Sequence, residues 1–222
     1  QRISGELRPR PNKFRITAKD AEILKEGKKD KNAPIKLTNV TKYMEAMQTY
    51  VSAFERHMAE KAAEDKKAGY TLDDDLKVFK DKYKGDVDEY LKHHNKFSSR
   101  FLVMYTCSGK MAQIVLRVLI SPGPVLVYSN YVYMEGIEIF KLYLKQFGFD
   151  SYVNKPDDFL GYSEYHGNIN MDDRSKGLET FNKIENINGK LVKVMLVSPA
   201  GAEGLSLESV RQVHIMEPYW HE

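Results

Sequence analysis

The chain has 222 residues, 42% of them hydrophobic and 11% aromatic, enough apolar surface for a packed core and too much for global disorder. A net charge of +3 and a sequence pI near 8.7 permit contact with nucleic acid without arguing for it. The single cysteine, Cys107, excludes an intrachain disulfide, and no Cys or His spacing resembles a zinc site, so no metal centre is expected.

No apolar run approaches the roughly 20 residues that a membrane helix needs. The sequence opens on Gln1-Arg2-Ile3, with neither a starting methionine nor a signal-peptide core, and reads as an excerpt of a longer polypeptide. Residues 1–36 form a basic, irregular connector in which eleven Lys and Arg face five Asp and Glu. Arg8-Pro9-Arg10-Pro11 cannot lie inside a helix, because each proline lacks an N–H and pushes the preceding residue toward extended geometry. Such a strap suits phosphates; a solvated linker has the same composition.

Residues 37–104 are expected to be a helical insertion or subdomain. Val40, Tyr43, Met44, Met47, Tyr50, Val51, Phe54 and Met58 recur at three- and four-residue steps, one face of an amphipathic helix. Asn39 suits its start and Gly69 its end. Leu76, Val78, Phe79 and Tyr83 mark a second helical segment, and after Gly85 come Val87, Tyr90 and Leu91. In the apolar run Phe101–Cys107 the thiol reads as a small buried side chain rather than a nucleophile.

Residues 105–222 change character. Ser108 precedes a helix with Met111, Ile114, Val115, Val118 and Leu119 inward, stopped by Ser121-Pro122-Gly123-Pro124. The run from Val125 to Ser129 is too short for a helix and typical of a strand buried on both faces. A helix from about Met134 to Phe147 follows, then short strands near Phe149–Val153 and Tyr162–Tyr165. A helix from Asp172 to Asn182 comes next, with Met171, Leu178 and Phe181 inward, and then strands over Leu191–Val197 and Arg211–Met216. Alternating strands and helices predict an open, mostly parallel sheet with flanking helices. Ligands meet such sheets at the carboxyl ends of the strands. That places Ser129-Asn130, Ser198–Ser206 and Glu217–Trp220 on the functional edge.

Ser198-Pro199-Ala200-Gly201-Ala202-Glu203-Gly204-Leu205-Ser206 follows a buried strand, and its small residues let backbone N–H groups approach phosphate oxygens. Tight strand-to-helix turns use the same residues for packing. No G-x-x-x-x-G-K-[ST] is present, so these residues cannot grip a triphosphate in the Walker manner.

The segment Ser198–Ser206 resembles motif V of superfamily-two helicases, and Gly123–Asn130 resembles motif IV. Tyr165-His166-Gly167, Asp173-Arg174 and Phe181-Asn182 are similar to the intervening helicase segment, and Val213–Trp220 to the strand and turn after motif V. The combined wording looks most like the helicases of large nucleocytoplasmic DNA viruses (poxvirus, asfarvirus and giant viruses), some of which serve as early transcription factors or transcript-release ATPases. The resemblance covers about residues 105–222 and implies the second RecA-like lobe of a nucleic-acid-dependent ATPase, truncated before motif VI.

By that resemblance Ser129, Asn130, His166, Gly167, Ser198 and Gly201 would meet the nucleic-acid backbone. Glu203, Gly204 and Ser206 would face the nucleotide, Ser206 near its ribose. The cofactor would be ATP with Mg2+, bound mainly by a first lobe that carries the phosphate loop and the metal-binding carboxylates. Partners would be DNA or RNA, that first lobe and other viral transcription proteins, in the host cytoplasm (viral factory) or the virion, with no membrane. No catalytic residue is expected among these 222, and alone they should hydrolyse no ATP, because the missing arginine finger supplies about three to five decades in rate. A scaffold or partner-binding module in a viral transcription or packaging assembly is the alternative. A small-molecule α/β enzyme finds no support in any G-x-G-x-x-G or G-x-S-x-G.

Overall fold

A computed structural model describes residues 39–133, 136–153, 160–202 and 204–217; of residues 39–43, 46, 200 and 201 it describes the backbone alone. The basic connector, Glu203 and the Pro218–Trp220 turn lie outside the described residues, as does the side chain of Asn39.

The helical region comprises α1 (Asn39–Ala68), α2 (Leu72–Asp81), α3 (Val87–His93) and α4 (Ser99–Cys107). Met47, Tyr50, Phe54 and Met58 of α1 are buried as their spacing requires, whereas Met44, expected on the same stripe, is exposed. Gly69 closes α1 at φ +69°, a left-handed conformation that glycine adopts without a side-chain clash. The start of α4 is held from two directions. Asp65 accepts from the N–H groups of Ser99 (2.6 Å) and Arg100 (3.2 Å), and Asp75 accepts from that of Ser98 (2.9 Å). Both carboxylates are buried, and both satisfy N–H groups that a helix start leaves unpaired.

Ser108 then caps α5 (Gly109–Ile120), its hydroxyl accepting from Met111 N–H at 3.3 Å. The sheet follows: β1 (Val125–Tyr128), α6 (Ile137–Gln146), β2 (Asp150–Ser151), β3 (Gly161–Tyr165), α7 (Met171–Phe181), β4 (Val194–Val197), the short α8 (Pro199–Ala202) and β5 (Gln212–Ile215). All five strands are parallel, in the order β2-β3-β4-β1-β5. Helices flank this parallel sheet, consistent with the RecA-like α/β fold.

Strand alternation sorts the core into two faces. Val125, Val127, Val194 and Leu196 share one continuous cluster with α5, α6 and the helices of the amino-terminal region, including Phe54, Phe79, Tyr90, Phe101 and Tyr143. Met195 and Val197 point the other way and pack with Phe181 and Val192, joined by Leu126, Tyr128, Leu205 and Leu207. The helical region therefore belongs to the core of one sheet face. The change of character at residues 104–105 falls within α4. Cys107, at the end of that helix, is half-buried against this core.

Two elements differ from expectation. The ladder of β4 begins at Val194 rather than Leu191, because the N–H groups of Leu191 and Val192 donate to Asn186 Oδ1 (2.9 and 3.0 Å). In α7 the buried face is centred on Gly177, Thr180 and Phe181, with Leu178 at its margin, and Met171 is 73% exposed. The helix approaches the sheet most closely at a glycine, where a Cβ would stand 1.9 Å from Ser163 Oγ. A count of large apolar residues does not register such a contact.

Candidate nucleic-acid interface

Parallel register aligns the carboxyl ends of the inner strands. Tyr128 lies opposite Val197 and Ile215, and Tyr165 opposite Val197. The next residue along each strand is therefore Ser129, His166, Ser198 or Met216, all on one sheet edge. All four are buried. Exposed groups follow immediately: Tyr131, Gly167, Asn168, Ala202, Gly204 and Ser206.

The loop after β1 is bonded to the segment after β5. Ser129 Oγ lies 2.9 Å from Glu217 Oε2, and Asn130 N–H donates to the same oxygen at 2.9 Å. Asn130 Nδ2 donates to the Glu217 carbonyl at 3.1 Å, and its Oδ1 accepts from Tyr128 OH at 3.1 Å. The loop after β3 is bonded to the same region through Asn168 Nδ2, which donates to Tyr133 OH at 2.8 Å.

His166 stands within a charge network. Its Nε2 is 2.9 Å from Glu164 Oε2, and Lys141 Nζ lies 3.0 Å from Glu164 and 2.8 Å from Glu138. Burial works to raise the Glu164 pKa, but the His166 hydrogen bond and the Lys141 charge hold it below the ordinary value. For Lys141, burial opposes the charged form and the two glutamates more than restore it, leaving its pKa raised. Glu138, Glu164 and His166 offer ligand atoms within 4.8 Å of one another, and the Lys141 ammonium supplies the positive charge at that place.

The turn after β4 leaves the sheet through α8. Gly204 has φ +74°, and among the described residues no heavy atom lies within 4 Å of where a Cβ would sit. Asn182 holds the far end of this turn: its Nδ2 donates to the Ser206 carbonyl and its Oδ1 accepts from Glu208 N–H, both at 2.9 Å. Arg174 places its guanidinium 5.8 Å from the Tyr165 ring centre, a cation–π contact. At the opposite end of the sheet, before β4, Lys193 donates to the Ser121 carbonyl, and burial pushes its pKa down.

Of the residues singled out from sequence, Ser129, Asn130, His166, Gly167, Ser198, Gly204 and Ser206 thus share one edge, and Gly201 lies in α8 on the same turn. The side chains of Ser129, Asn130 and His166 have partners within the chain; the open positions are Gly167, Gly204 and Ser206. Sequence reasoning put Glu217 on this edge but gave it no role, and it missed Asn182, Glu164 and Lys141 as braces. An acid immediately after a strand, where its neighbours carry Ser129 and Ser198, was the available signal for Glu217. Asn182 falls in the segment similar to other helicases, though nothing there marks its bonds to the Ser206–Glu208 turn, and nothing local marks Glu164 or Lys141.

The model of the helicase conserved C-terminal domain matches residues 110–222, just over half the chain. A protein of Acanthamoeba polyphaga mimivirus, provisionally named as an ATP-dependent RNA helicase, is 38% identical across 99% of this chain and 27% of its own length. A termination factor NPH-I homolog of African swine fever virus is 30% identical across 52% of this chain and 21% of its own length. The chain thus spans about a quarter of the length of these relatives.

Proposed function

The chain belongs to the helicase C-terminal domain family, and from that premise we propose that it is the second RecA-like lobe of a nucleic-acid-dependent ATPase, a helicase or translocase of viral transcription or genome handling. The observation that supports this reading most is the common edge formed by the ends of β1, β3, β4 and β5, where Gly167, Gly204 and Ser206 stay exposed beside buried, braced neighbours.

In this reading the backbone around Gly167 and the Ser198–Gly201 turn, with the Ser129–Asn130 loop, holds successive phosphates. Contacts to the backbone rather than to base edges give sequence-tolerant, salt-sensitive binding, as a motor requires. ATP with Mg2+ lies between this lobe and a first lobe of the same polypeptide. The open space beside Gly204 and the exposed Ser206 hydroxyl fit the sugar side of a nucleotide. Glu164 already serves His166 and Lys141, which fits a metal held mainly by the other lobe. Closure around the triphosphate and release after hydrolysis would shift the grip along the strand. The place of action is the host cytoplasm (viral factory) or the virion, with other viral transcription proteins as partners.

The deciding experiment compares ATP hydrolysis by the intact protein with and without single-stranded DNA or RNA. Ser198→Ala combined with Gly204→Ala should reduce the stimulation about tenfold or more while the fold persists. Wild-type stimulation in the double variant removes this turn from the mechanism. Absence of any stimulation in the wild type favours the scaffold reading instead. Residues 1–222 alone should show no turnover.

A further inference from the structure

Glu217 lies two residues beyond β5, yet its bonds run 87 and 88 positions back to the loop after β1. One carboxylate oxygen, Oε2, is 2.9 Å from both the Ser129 hydroxyl and the Asn130 N–H, while the Glu217 carbonyl accepts from the Asn130 side-chain amide at 3.1 Å. The other oxygen, Oε1, is occluded and has no hydrogen-bond donor among the described residues; its nearest positive charge is Lys110 Nζ at 3.9 Å. Lys110, in the first turn of α5, also donates to the Met216 carbonyl at 2.7 Å, and Met216 N–H donates to Tyr128 O at 2.9 Å. The end of β5 is therefore fixed on both sides, and it carries a carboxylate whose working oxygen holds the neighbouring loop.

We infer that Glu217 is the positioning residue of this edge: through Oε2 it sets the Ser129–Asn130 loop in the conformation that receives nucleic acid, without touching nucleic acid itself. The inference rests on the function proposed above. A bare carboxylate beside a phosphate-binding loop would repel its ligand. Here its working oxygen is covered: Oε2 accepts from the Asn130 N–H and lies within bonding distance of the Ser129 hydroxyl, which stands equally close to the Tyr131 carbonyl. The same bonds orient Asn130, whose Oδ1 is taken by Tyr128 OH and one of whose two amide hydrogens is taken by the Glu217 carbonyl. Among the described residues the other amide hydrogen of Asn130 has no acceptor, and it is left for an outside one.

Because the side chain's share of the hold runs through Oε2, while the carbonyl bond to the Asn130 amide is common to every variant, shape and charge can be separated. In the intact protein Glu217→Ala should raise the concentration of single-stranded nucleic acid needed for half-maximal ATPase stimulation about tenfold, with maximal turnover within about twofold. Glu217→Asp keeps the charge but falls one methylene short, and should move that concentration in the same direction. Glu217→Gln can set its amide oxygen in the place of Oε2 and should stay within about twofold of wild type. Hydrogen exchange at the Asn130 amide reads the tie directly: slow in wild type and Glu217→Gln, fast in Glu217→Ala. Unchanged half-saturation in both the Ala and Asp variants overturns the inference, as does a Gln variant as impaired as Ala, which would assign the role to the charge. A wild type without stimulation overturns the proposed function, and fast Asn130 exchange in that same protein overturns the tie independently.

Discussion

The imidazole of His166 and the carboxylate of Glu164 meet at 2.9 Å beneath the end of β3, with Lys141 closing the network on its other side. The histidine that sequence comparison offers as a nucleic-acid contact is thus bonded inside the lobe, with Gly167 exposed just beyond it.

That network predicts a pH dependence. Glu164 titrates below its ordinary value of 4.5 in the folded state, so its contribution to stability is present above pH 4.5 and is lost as pH falls through the lowered value. Glu164→Gln should cost about 3 kcal/mol at neutral pH, since it leaves a half-buried Lys141 with Glu138 as its remaining carboxylate. The gap between variant and wild type should close on acidification below 4.5. Urea unfolding at neutral and acid pH measures it; a gap that widens toward acid contradicts the network.

Gly167 tests the exposed side of the same edge. Among the described residues no heavy atom beyond its chain neighbours lies within 4 Å of a Cβ placed there, so Gly167→Glu should leave thermal stability unchanged. Its added charge should weaken nucleic-acid binding several-fold at low salt, with the gap narrowing as salt rises, because screening shortens the reach of exposed charges to about 10 Å at 0.1 M. A salt-independent loss, or none, would place nucleic acid elsewhere.

Gly136, between the loop after β1 and α6, has no room for a side chain: a Cβ would stand 1.8 Å from the Tyr131 carbonyl oxygen. Backbone cannot step aside as a side chain can. Gly136→Ala should therefore destabilise the protein by about 2 kcal/mol or more and weaken nucleic-acid binding through the displaced loop. Gly204→Ala makes the contrast. Its φ of +74° costs about 1 kcal/mol of backbone strain with no clash among the described residues, so melting should shift little while stimulation falls. Equal losses of stability in the two variants would contradict the geometry.

Asp75, 1% exposed, is the buried anchor of the helical region. It accepts from Ser98 N–H and from the hydroxyls of Tyr70 and Tyr90, and stands 3.4 Å from His94. Asp75→Ala takes this acceptor from Ser98 N–H and the Tyr90 hydroxyl, while Tyr70 keeps His94 Nε2 at 3.1 Å, and should cost about 3–5 kcal/mol in chemical denaturation. A loss below about 1 kcal/mol would mean that water replaces the carboxylate.

The alternation of short apolar runs with amphipathic stretches after residue 105 suffices to predict a parallel sheet with flanking helices, because strand and helix periodicities are local properties of the chain. The same reasoning puts Ser129, Ser198 and Glu217 at the functional edge, since each directly follows an apolar run that ends a strand. Local pattern does not reveal that Glu217 answers Asn130 across 87 residues, that Lys141 balances Glu164, or that α7 packs through Gly177 while Met171 faces solvent. Those outcomes depend on which strands become neighbours and in what register. Hydrogen bonds and charge pairs form between groups brought within about 3 Å of each other, and only the folded sheet brings these groups that close.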